Sequence, residues 1–383
     1  MSYFDYNATA PIRPEALAAV VEAMQSVGNA ASLHQPGRQA AHRVDVARRQ
    51  LADLLGCSPG EIIFTSGATE ANNLALRAAF TAGKPLVTSP VEHPAVLETA
   101  RAVTAESSED LVLLPVGADG LVDLDALDQV FPARRGGVVS LMAANNETGV
   151  LTDLRVVAKA AHEAGAIVHT DATQIIGRLP VDVAELDVDL LSLSAHKFGG
   201  PQGVGALYVR RGSPLPHRPL LVGGGQERGW RAGTLNVAGV IGMGAAADAA
   251  RHHLGEEAER IAALRDRLED LVTDALPGCR VNGRRDRRLP GVTSITFPGV
   301  PADALLAAMP DVAASEGSAC ASGAPTPSHV LLAMGLSRED ADSTIRFSLG
   351  YATTNAEIEH AAHAVKRAAT HVRAALAEAH GPR

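Results

Sequence analysis

Short apolar runs alternate with helical stretches of mixed polarity over roughly the first 250 residues. The runs lie at 61–65, 86–88, 111–116, 138–143, 166–170 and 190–194, and helical patterns lie at 69–80, from 94 onward and at 153–164. Strands that are this short and this uniformly apolar are typical of a parallel sheet covered by helices on both faces. The pattern therefore predicts a large α/β domain, which we assign to residues 14–250.

The pattern changes after about residue 250. It predicts a long charged amphipathic helix at about 256–275, strands near 292–297 and 344–349, and a terminal helix at 355–379. Two strands between long helices indicate a smaller α+β domain rather than a continuation of the parallel sheet. We assign residues 1–13 and 251–383 to this smaller domain.

The charge balance limits the classes of partner. The chain has 34 Lys and Arg against 43 Asp and Glu, a formal net charge of −9, so direct nucleic-acid binding is not expected. One basic run, 284–288, lies between turn signals and is interpreted as a solvated loop. The N-terminus lacks a basic start with an apolar core, and no run approaches the roughly 18 apolar residues of a membrane span. A cytoplasmic protein without membrane contact is therefore predicted.

The cysteines do not form a disulfide or metal pattern. Cys57, Cys279 and Cys320 are too few and too scattered for a disulfide framework, and no Cys-x-x-Cys or His-x-x-x-His pair indicates a metal. Cys320 differs from the other two because residues 316–327 around it are rich in Gly, Ser, Ala and Pro. This composition predicts a flexible loop, which suits a thiol that collects a group in a pocket and delivers it outside. Cys57 and Cys279 are interpreted as structural.

A predicted helix start at 66–70 is the first candidate for ligand binding. Ser66-Gly67-Ala68-Thr69-Glu70 directly follows a predicted strand. The first turn of a helix offers unpaired N–H groups and the positive end of the helix dipole, an arrangement that suits one phosphate group. Gly and Thr also occur at ordinary helix starts, so this motif by itself leaves both interpretations open. It is not a dinucleotide fingerprint, which argues against a Rossmann-type dehydrogenase.

Two further candidates follow neighbouring predicted strands. Asp171 follows the run at 166–170, and Lys197 follows the run at 190–194. Ligands of open α/β sheets bind outside the carboxyl ends of the strands. There a carboxylate could keep a pyridine nitrogen protonated, and a lysine could form a Schiff base with an aldehyde. Taken singly, Asp171 and Lys197 are explained at least as well as a structural carboxylate and a surface charge. The helix start at 66–70, Asp171 and Lys197 in this chain order together predict a fold-type I pyridoxal-phosphate enzyme.

The chain resembles the cysteine desulfurases of the NifS/IscS type, within the class V aminotransferase group, over nearly its whole length. The motifs that carry the resemblance are 4–11, 28–32, 64–70, 92–93, 145–149, 171–174, 194–197, 231–234, 317–320 and 345–350. A set of this size, spread along the chain, is highly specific. The implied fold is a large domain with a mostly parallel central sheet and a smaller α+β domain, which carries a catalytic cysteine loop at about 316–327.

The resemblance also implies the roles of individual residues. Lys197 is implied to hold pyridoxal 5′-phosphate covalently, Asp171 to pair with its pyridine nitrogen, and Gln174 to contact its phenolic oxygen. His93 is implied to stack on the ring and to shuttle protons. The implied phosphate ligands are Ala68, Thr69, Ser194, His196 and, from the second subunit of a homodimer, Thr234. The implied ligands of the substrate carboxylate are Asn29, Arg346 and Asn146, of which Asn146 also borders the cofactor.

The reaction implied by the resemblance takes sulfur from L-cysteine. Lys197 removes the α-proton, the Cys320 thiolate attacks the substrate sulfur, and alanine and a Cys320 persulfide result. The sulfur then passes to an acceptor protein, for which iron–sulfur assembly, tRNA thiolation, DNA phosphorothioation and natural-product synthesis stay open. The alternatives are a selenocysteine lyase, an aminotransferase or a cysteine-sulfoxide lyase of the same fold, and a sulfur-carrier protein with secondary catalysis. An aminotransferase needs no thiol at position 320.

Overall fold

The computed structural model describes residues 1–106, 110–131, 135–317 and 326–379. In these residues the strands are β1 (Ser2–Tyr3), β2 (Ile62–Thr65), β3 (Leu86–Thr88), β4 (Leu111–Leu113), β5 (Val138–Ser140), β6 (Ile167–Asp171), β7 (Leu190–Ser194), β8 (Gly205–Val209), β9 (Arg280–Val281), β10 (Val292–Thr296), β11 (Val312–Ala313), β12 (Ser315–Glu316) and β13 (Thr344–Ser348). The helices are α1 (Pro14–Met24), α2 (Gln35–Leu55), α3 (Ala68–Ala79), α4 (Pro94–Val103), α5 (Leu127–Val130), α6 (Leu154–Glu163), α7 (Val183–Leu186), α8 (Val237–Ala275), α9 (Ala302–Ala307), α10 (His329–Ala333), α11 (Arg338–Asp342) and α12 (Asn355–Ala379). None of these helices is long and apolar enough to cross a membrane.

A seven-stranded sheet with the order β2-β8-β7-β6-β5-β3-β4 is the larger of the sheets in the described residues. The pairs β4–β3, β3–β5, β5–β6 and β6–β7 are parallel, which confirms the predicted mostly parallel sheet. Strand β8 was not predicted, and it runs antiparallel to both β7 and β2. It follows β7 after a short Gly-rich stretch, and a parallel return would need a crossover of a dozen or more residues.

The position of β8 brings distant turns to one edge of the sheet. Gly205 pairs with Thr65 on one side and with Ser194 on the other, so the carboxyl ends of β2 and β7 lie at the same edge. Gly205 has to be a glycine, because a Cβ there would lie 2.7 Å from the Cα of Gly67. The close approach places the start of α3 beside the end of β7.

Helix α3 packs on this sheet through one apolar stripe. Ala71, Leu74, Ala75 and Ala78 are buried and recur at the three- and four-residue spacing of a helix face. Ala71, Leu74 and Ala75 form one buried apolar cluster together with strand residues such as Ile63. Burial of a side chain of Leu or Ile size stabilises the fold by roughly 1.5–3 kcal/mol, so this packing fixes the helix start firmly against the strand ends.

A second apolar core surrounds an antiparallel sheet with the order β12-β13-β10-β9. Phe4 and Phe347 are fully buried there, with ring centroids 6.4 Å apart in an edge-to-face arrangement. Strand β1 pairs with β11, so the first residues of the chain belong to this core. The division into two domains stays a prediction.

Helix α8 corrects the predicted helix at 256–275, because it begins at Val237. Residues 237–247 are all apolar and most of them are buried, so this part of the helix has no polar face to produce an amphipathic signal. The helix therefore runs without a break through residue 250, where the sequence pattern placed a boundary.

The basic run at 284–288 is only partly the solvated loop that the sequence predicted. Arg284 is about half exposed, as expected. Arg288 is buried, and its Nη1 lies 2.5 Å from Oε1 of the fully buried Glu269. Removing one partner of this buried ion pair would destabilise the fold, because the other charge would be left buried and unpaired.

Candidate active site

A cavity of about 370 Å³ opens at the carboxyl edge of the seven-stranded sheet. Its walls come from the β2–α3 turn, the start of α4, the segment after β5, and the ends of β6 and β7. This is where ligands bind in open α/β sheets. The predicted site residues that line it are Ala68, Thr69, His93, Asn146, Asp171, Gln174, Ser194, His196 and Lys197.

One wall is the start of helix α3. Gly67 precedes the helix and brings no side chain to cap it, and Ala68 and Thr69 form the first turn. The N–H groups of a first helical turn have no partners within the helix, and the helix dipole is positive there. Ser194 and His196 line the same cavity from the end of β7. This wall is suited to an anionic group such as a phosphate.

Asp171 lies at the end of β6 with its carboxylate held in place by two donors. Nδ2 of Asn72 donates to Oδ2 over 2.7 Å, and the backbone N–H of Thr173 donates to Oδ1 over 3.0 Å. Asp171 and Asn72 are both buried. Sequence reasoning missed Asn72, although it is four residues after Ala68 and therefore on the same face of α3.

Lys197 reaches into the cavity from the turn that follows β7. Its Nζ donates to the backbone carbonyl of Ala8 over 2.8 Å and to that of Asn7. The carbonyl of Lys197 itself accepts from Arg178 at 3.3 Å. The amine end is therefore held by the N-terminal segment, while the backbone carbonyl is held by Arg178.

Asn7 connects the walls of the cavity, and sequence reasoning gave it no role. Its Nδ2 donates to the carbonyl of Asn146 over 2.9 Å, and its Oδ1 accepts from Arg178. Its carbonyl accepts from Nε2 of Gln174 over 3.2 Å, as well as from Lys197. Asn7 belongs to the motif 4–11, but its contacts lie more than a hundred positions away along the chain, so only the fold reveals them.

Some buried oxygen atoms of the cavity residues lack a hydrogen-bond partner among the residues described. They are Oδ1 of Asn146, Oε1 of Gln174 and Oγ1 of Thr173. An unpaired buried polar atom costs roughly 1–3 kcal/mol, so native structures rarely leave several together without a ligand to satisfy them. These atoms indicate that the cavity takes up a polar ligand.

His93 is the residue before helix α4, and its Nδ1 accepts the backbone N–H of Ala95 over 3.1 Å. Burial lowers the pKa of His93, so the imidazole is neutral at neutral pH. A neutral imidazole with an accepting Nδ1 carries its proton on Nε2. His93 can therefore donate a hydrogen bond through Nε2. Burial likewise lowers the pKa of His196, to about 4.

Three of the remaining predicted residues, Arg346, Asn29 and Thr234, do not line this cavity in the single chain. Arg346 is buried, with Nη2 2.7 Å from Oδ1 of Asp5 and Nη1 3.0 Å from the carbonyl of Asn146. Asn29 lines a separate cavity with Gln226. Thr234 is exposed and lines an adjoining cavity, and Cys320 lies outside the described residues.

The three groups that the sequence pattern brought together are thus on the walls of one cavity. A helix start with open N–H groups, a fixed carboxylate and a lysine amine surround one space. Such a set can hold a phosphorylated aromatic aldehyde by its phosphate, its ring nitrogen and its carbonyl carbon. A neutral histidine that can donate a hydrogen bond from Nε2 lies at the edge of the same space.

The comparisons with known proteins agree with this chemistry. The family model for aminotransferase class-V matches residues 2–360. Cysteine desulfurase IscS of Histophilus somni (strain 129Pt) is 44% identical over 380 residues, which cover 97% of this chain and 93% of the relative. A solved structure described as a NifS-like protein has a TM-score of 0.89 and 34% identity, and covers 97% of this chain and 100% of its own. A structure described as SspA in complex with cysteine has a TM-score of 0.79 and 34% identity, and covers 91% and 99%.

Proposed function

The chain belongs to the class-V aminotransferase family and is a cysteine desulfurase of the NifS/IscS type, and on this premise we propose that its cavity binds pyridoxal 5′-phosphate on Lys197. The observation that carries the proposal is the placement of three groups on one cavity. They are the open start of α3, the carboxylate of Asp171 and the amine of Lys197.

The residues present fit this cofactor. Ala68, Thr69, Ser194 and His196 would receive the phosphate. Oδ1 of Asn146 and Oε1 of Gln174 are buried without a described hydrogen-bond partner and would be available to the cofactor and substrate. Asp171, held by Asn72 and Thr173, would accept a hydrogen bond from the pyridine nitrogen. When bound, the cofactor supplies an electron sink that stabilises negative charge at the α-carbon of the substrate.

Removal of the α-proton is assigned to Lys197. Released from the cofactor, the amine of Lys197 removes the α-proton of cysteine. Carbonyl groups of Ala8 and Asn7 lie within hydrogen-bonding distance of Nζ and would accept from the ammonium group that results. The neutral His93 would donate a hydrogen bond from Nε2, because its Nδ1 is occupied by the N–H of Ala95.

Sulfur transfer is assigned to Cys320. Its thiolate attacks the sulfur of the bound cysteine, a new S–S bond forms, and the bond from that sulfur to the β-carbon breaks with its electron pair left on carbon. That carbon is then protonated to give the methyl group of alanine, and Cys320 keeps the sulfur as a persulfide. The thiolate is the reactive form of a cysteine, so the reaction needs Cys320 deprotonated.

Arg346 is assigned to the substrate carboxylate, with Asn146 and Asn29. Its Nε has no hydrogen-bond partner in the described residues, and one side of its guanidinium is already fixed by Asp5 and by the carbonyl of Asn146. A guanidinium fixed in this way can offer a planar pair of donors to a carboxylate.

We also propose that the active unit is a homodimer and that Thr234 completes the phosphate site of the other subunit. Thr234 is exposed in the single chain, and the neighbouring Arg231 anchors its loop through a 3.0 Å contact with Glu70 on α3. The sulfur acceptor is proposed to be a separate protein that approaches Cys320 directly.

The test is a balance of products from the purified protein supplied with cofactor and L-cysteine. We expect a cofactor absorbance at the visible edge, and alanine and sulfide in equal amounts when a reducing agent is present. Lys197→Ala should lose the absorbance of the covalently linked cofactor and slow alanine formation by roughly 10²–10⁴-fold, the usual range for a general base. Cys320→Ala should keep the absorbance but form neither product.

Cys57→Ala is the matched control. Burial raises the pKa of the Cys57 thiol to about 12, so it is not a nucleophile at neutral pH and its loss should leave both products unchanged. Cofactor absorbance without alanine would move the assignment to another lyase or an aminotransferase of this fold. A protein that takes up no cofactor would overturn the proposal.

A further inference from the structure

We propose that Glu147 is a positioning residue that fixes both described ends of the segment carrying Cys320, and that sulfur transfer depends on it. The inference rests on the proposed function, because it concerns the step that Cys320 performs. Cys320 comes three residues after Gly317 and eight before Ser328 in the sequence. Both of these flanking residues contact the carboxylate of Glu147.

The two contacts converge on one oxygen atom. Oγ of Ser328 donates to Oε2 of Glu147, which is itself buried. On the other flank, a Cβ added to Gly317 would lie only 2.2 Å from the same Oε2, so the backbone of Gly317 lies against the carboxylate. A single side chain thus contacts both described ends of the segment.

Glu147 is held rigidly from behind. Oδ1 of Asn145 accepts the backbone N–H groups of Glu147 and Thr148, each over 2.9 Å, and Nδ2 of Asn145 donates to the carbonyl of Val91 over 3.0 Å. The residue between Asn145 and Glu147 is Asn146, which lines the cavity. The position of the two segment ends is therefore tied to the wall of the cofactor cavity.

The Ser328 side is tied to the same wall a second time. Ser328 caps α10 by accepting the N–H of Leu331 over 3.1 Å, and Nε2 of His329 lies 2.9 Å from the carbonyl of Glu92. Glu92 directly precedes His93. Fixed anchors of this kind should raise the rate of sulfur transfer, because the thiol has to be placed accurately against the substrate sulfur. Misplacement of a reacting group by 1 Å can lower the reaction rate about a hundredfold.

Glu147→Ala removes the anchor at both ends, whereas Ser328→Ala removes only its hydrogen bond at one end. Glu147→Gln keeps the size of the side chain and an oxygen that can accept from Ser328, so it should rescue most of the activity. Ser337→Ala is the matched control for a lost helix cap, because Ser337 caps the neighbouring short helix α11 through the N–H of Asp340 at 3.1 Å. No described hydrogen bond joins Ser337 to Glu147.

Two reactions of the holoenzyme separate positioning of the thiol from the cofactor chemistry. Alanine formation from L-cysteine needs Cys320, whereas exchange of the α-hydrogen of L-alanine with deuterium oxide needs only the cofactor and Lys197. We expect Glu147→Ala and Ser328→Ala to slow the first reaction about tenfold, a barrier change of about 1.4 kcal/mol, and to leave the exchange within about twofold. The double variant should be no slower than Glu147→Ala, because the hydroxyl of Ser328 has already lost its acceptor in that variant.

Equal losses in both reactions would overturn the inference, because Glu147 would then act on the cofactor cavity. Unchanged alanine formation in Ser328→Ala would overturn it as well. If Glu147→Ala does not fold, the comparison of Ser328→Ala with Ser337→Ala still decides. A wild-type protein that exchanges alanine but forms none from cysteine would contradict the proposed function instead.

Discussion

Glu92 and His93 are neighbours in the chain, and burial shifts the pKa values of their side chains in opposite directions. His93 is neutral because burial lowers its pKa. Glu92 is fully buried, and burial raises its pKa to about 8. Oε1 of Glu92 accepts the N–H of Met142 over 2.7 Å and the hydroxyl of Ser89 over 3.3 Å, while Oε2 has no partner in the part of the chain described. A neutral carboxyl group is therefore the stable form at pH 7.

Replacing Glu92 by Gln should change the pH dependence of stability. The folded state holds the Glu92 proton up to about pH 8, whereas the unfolded state loses it near the ordinary value of 4.5. The folded state binds more protons between these limits, so the wild type loses up to about 1.4 kcal/mol of stability per pH unit as the pH rises through this window. Gln keeps the shape and the accepting oxygen without the proton. Its midpoint of thermal unfolding should match the wild type at pH 5 and exceed it increasingly towards pH 8.

The control is Glu98→Gln on α4, whose side chain is largely exposed. It should show no such trend with pH. A constant difference between Glu92→Gln and the wild type at all pH values would mean that Glu92 is ionised in the folded protein. A large loss of stability at pH 5 would mean that Gln cannot replace the neutral acid.

At the residue scale, the sequence located side chains at strand ends but not the partners that hold them. Lys197 and Asp171 could be predicted because each follows an apolar run, and the ends of parallel strands share one edge. Asn72 and Asn7 could not, because the sequence places them 99 positions from Asp171 and 190 from Lys197. Their roles follow from the crossing of α3 over the sheet and from the return of the N-terminus to the cavity.

At the element scale, helix α8 shows where periodicity fails as a signal. Its start packs against helices α1 and α2, and the glycines of the segment are part of that contact. A Cβ on Gly242 would lie 2.4 Å from Cγ2 of Val20, and a Cβ on Gly244 would lie 2.5 Å from the Cα of Ala47. A surface that needs glycine on one side and alanine on the other reads as uniformly apolar in the sequence, so only the charged second half was predicted.

Two substitutions in this one helix should have opposite effects on stability. Gly244→Ala adds a methyl group against the backbone of α2 and should destabilise the protein by about 1–3 kcal/mol, the usual cost of overpacking. Gly255→Ala lies at an exposed position where a Cβ meets nothing within 4 Å. It should stabilise by about 0.5–1 kcal/mol, because alanine loses less backbone entropy in a helix.

Urea unfolding of both variants measures these effects, and each variant serves as the control for the other. Equal shifts in the same direction would show that helix propensity rather than packing decides at both positions. A stabilised Gly244→Ala would mean that α2 and α8 can move apart without cost, contrary to the contacts of Ala47.

At the scale of the whole molecule, the N-terminal residues tie the two apolar cores together. Strand β1 pairs with β11 in the smaller core, and Asn7 then contacts the cavity of the larger sheet. Arg13 follows with a bidentate contact to Glu257 on α8, at 2.7 Å for the shorter of the two bonds. Local sequence patterns describe one element at a time, so they did not predict that the N-terminal segment reaches the cavity.

The exposed apolar residues support the proposed dimer and provide its test. Val27 and Leu33 are 86% and 87% exposed, and Val27 lines a large open cavity together with Val237, three residues after Thr234. Large exposed apolar patches mark interaction sites. We expect light scattering to give twice the chain mass of 39.6 kDa for the wild type. Val27→Asp should give the single-chain mass and bind pyridoxal 5′-phosphate at least about tenfold more weakly, because the charge disfavours burial and Thr234 is withdrawn. Val156→Asp, on α6, is the control and should change neither the mass nor the affinity for the cofactor. A wild-type protein that is monomeric and has full cofactor affinity would contradict the dimer.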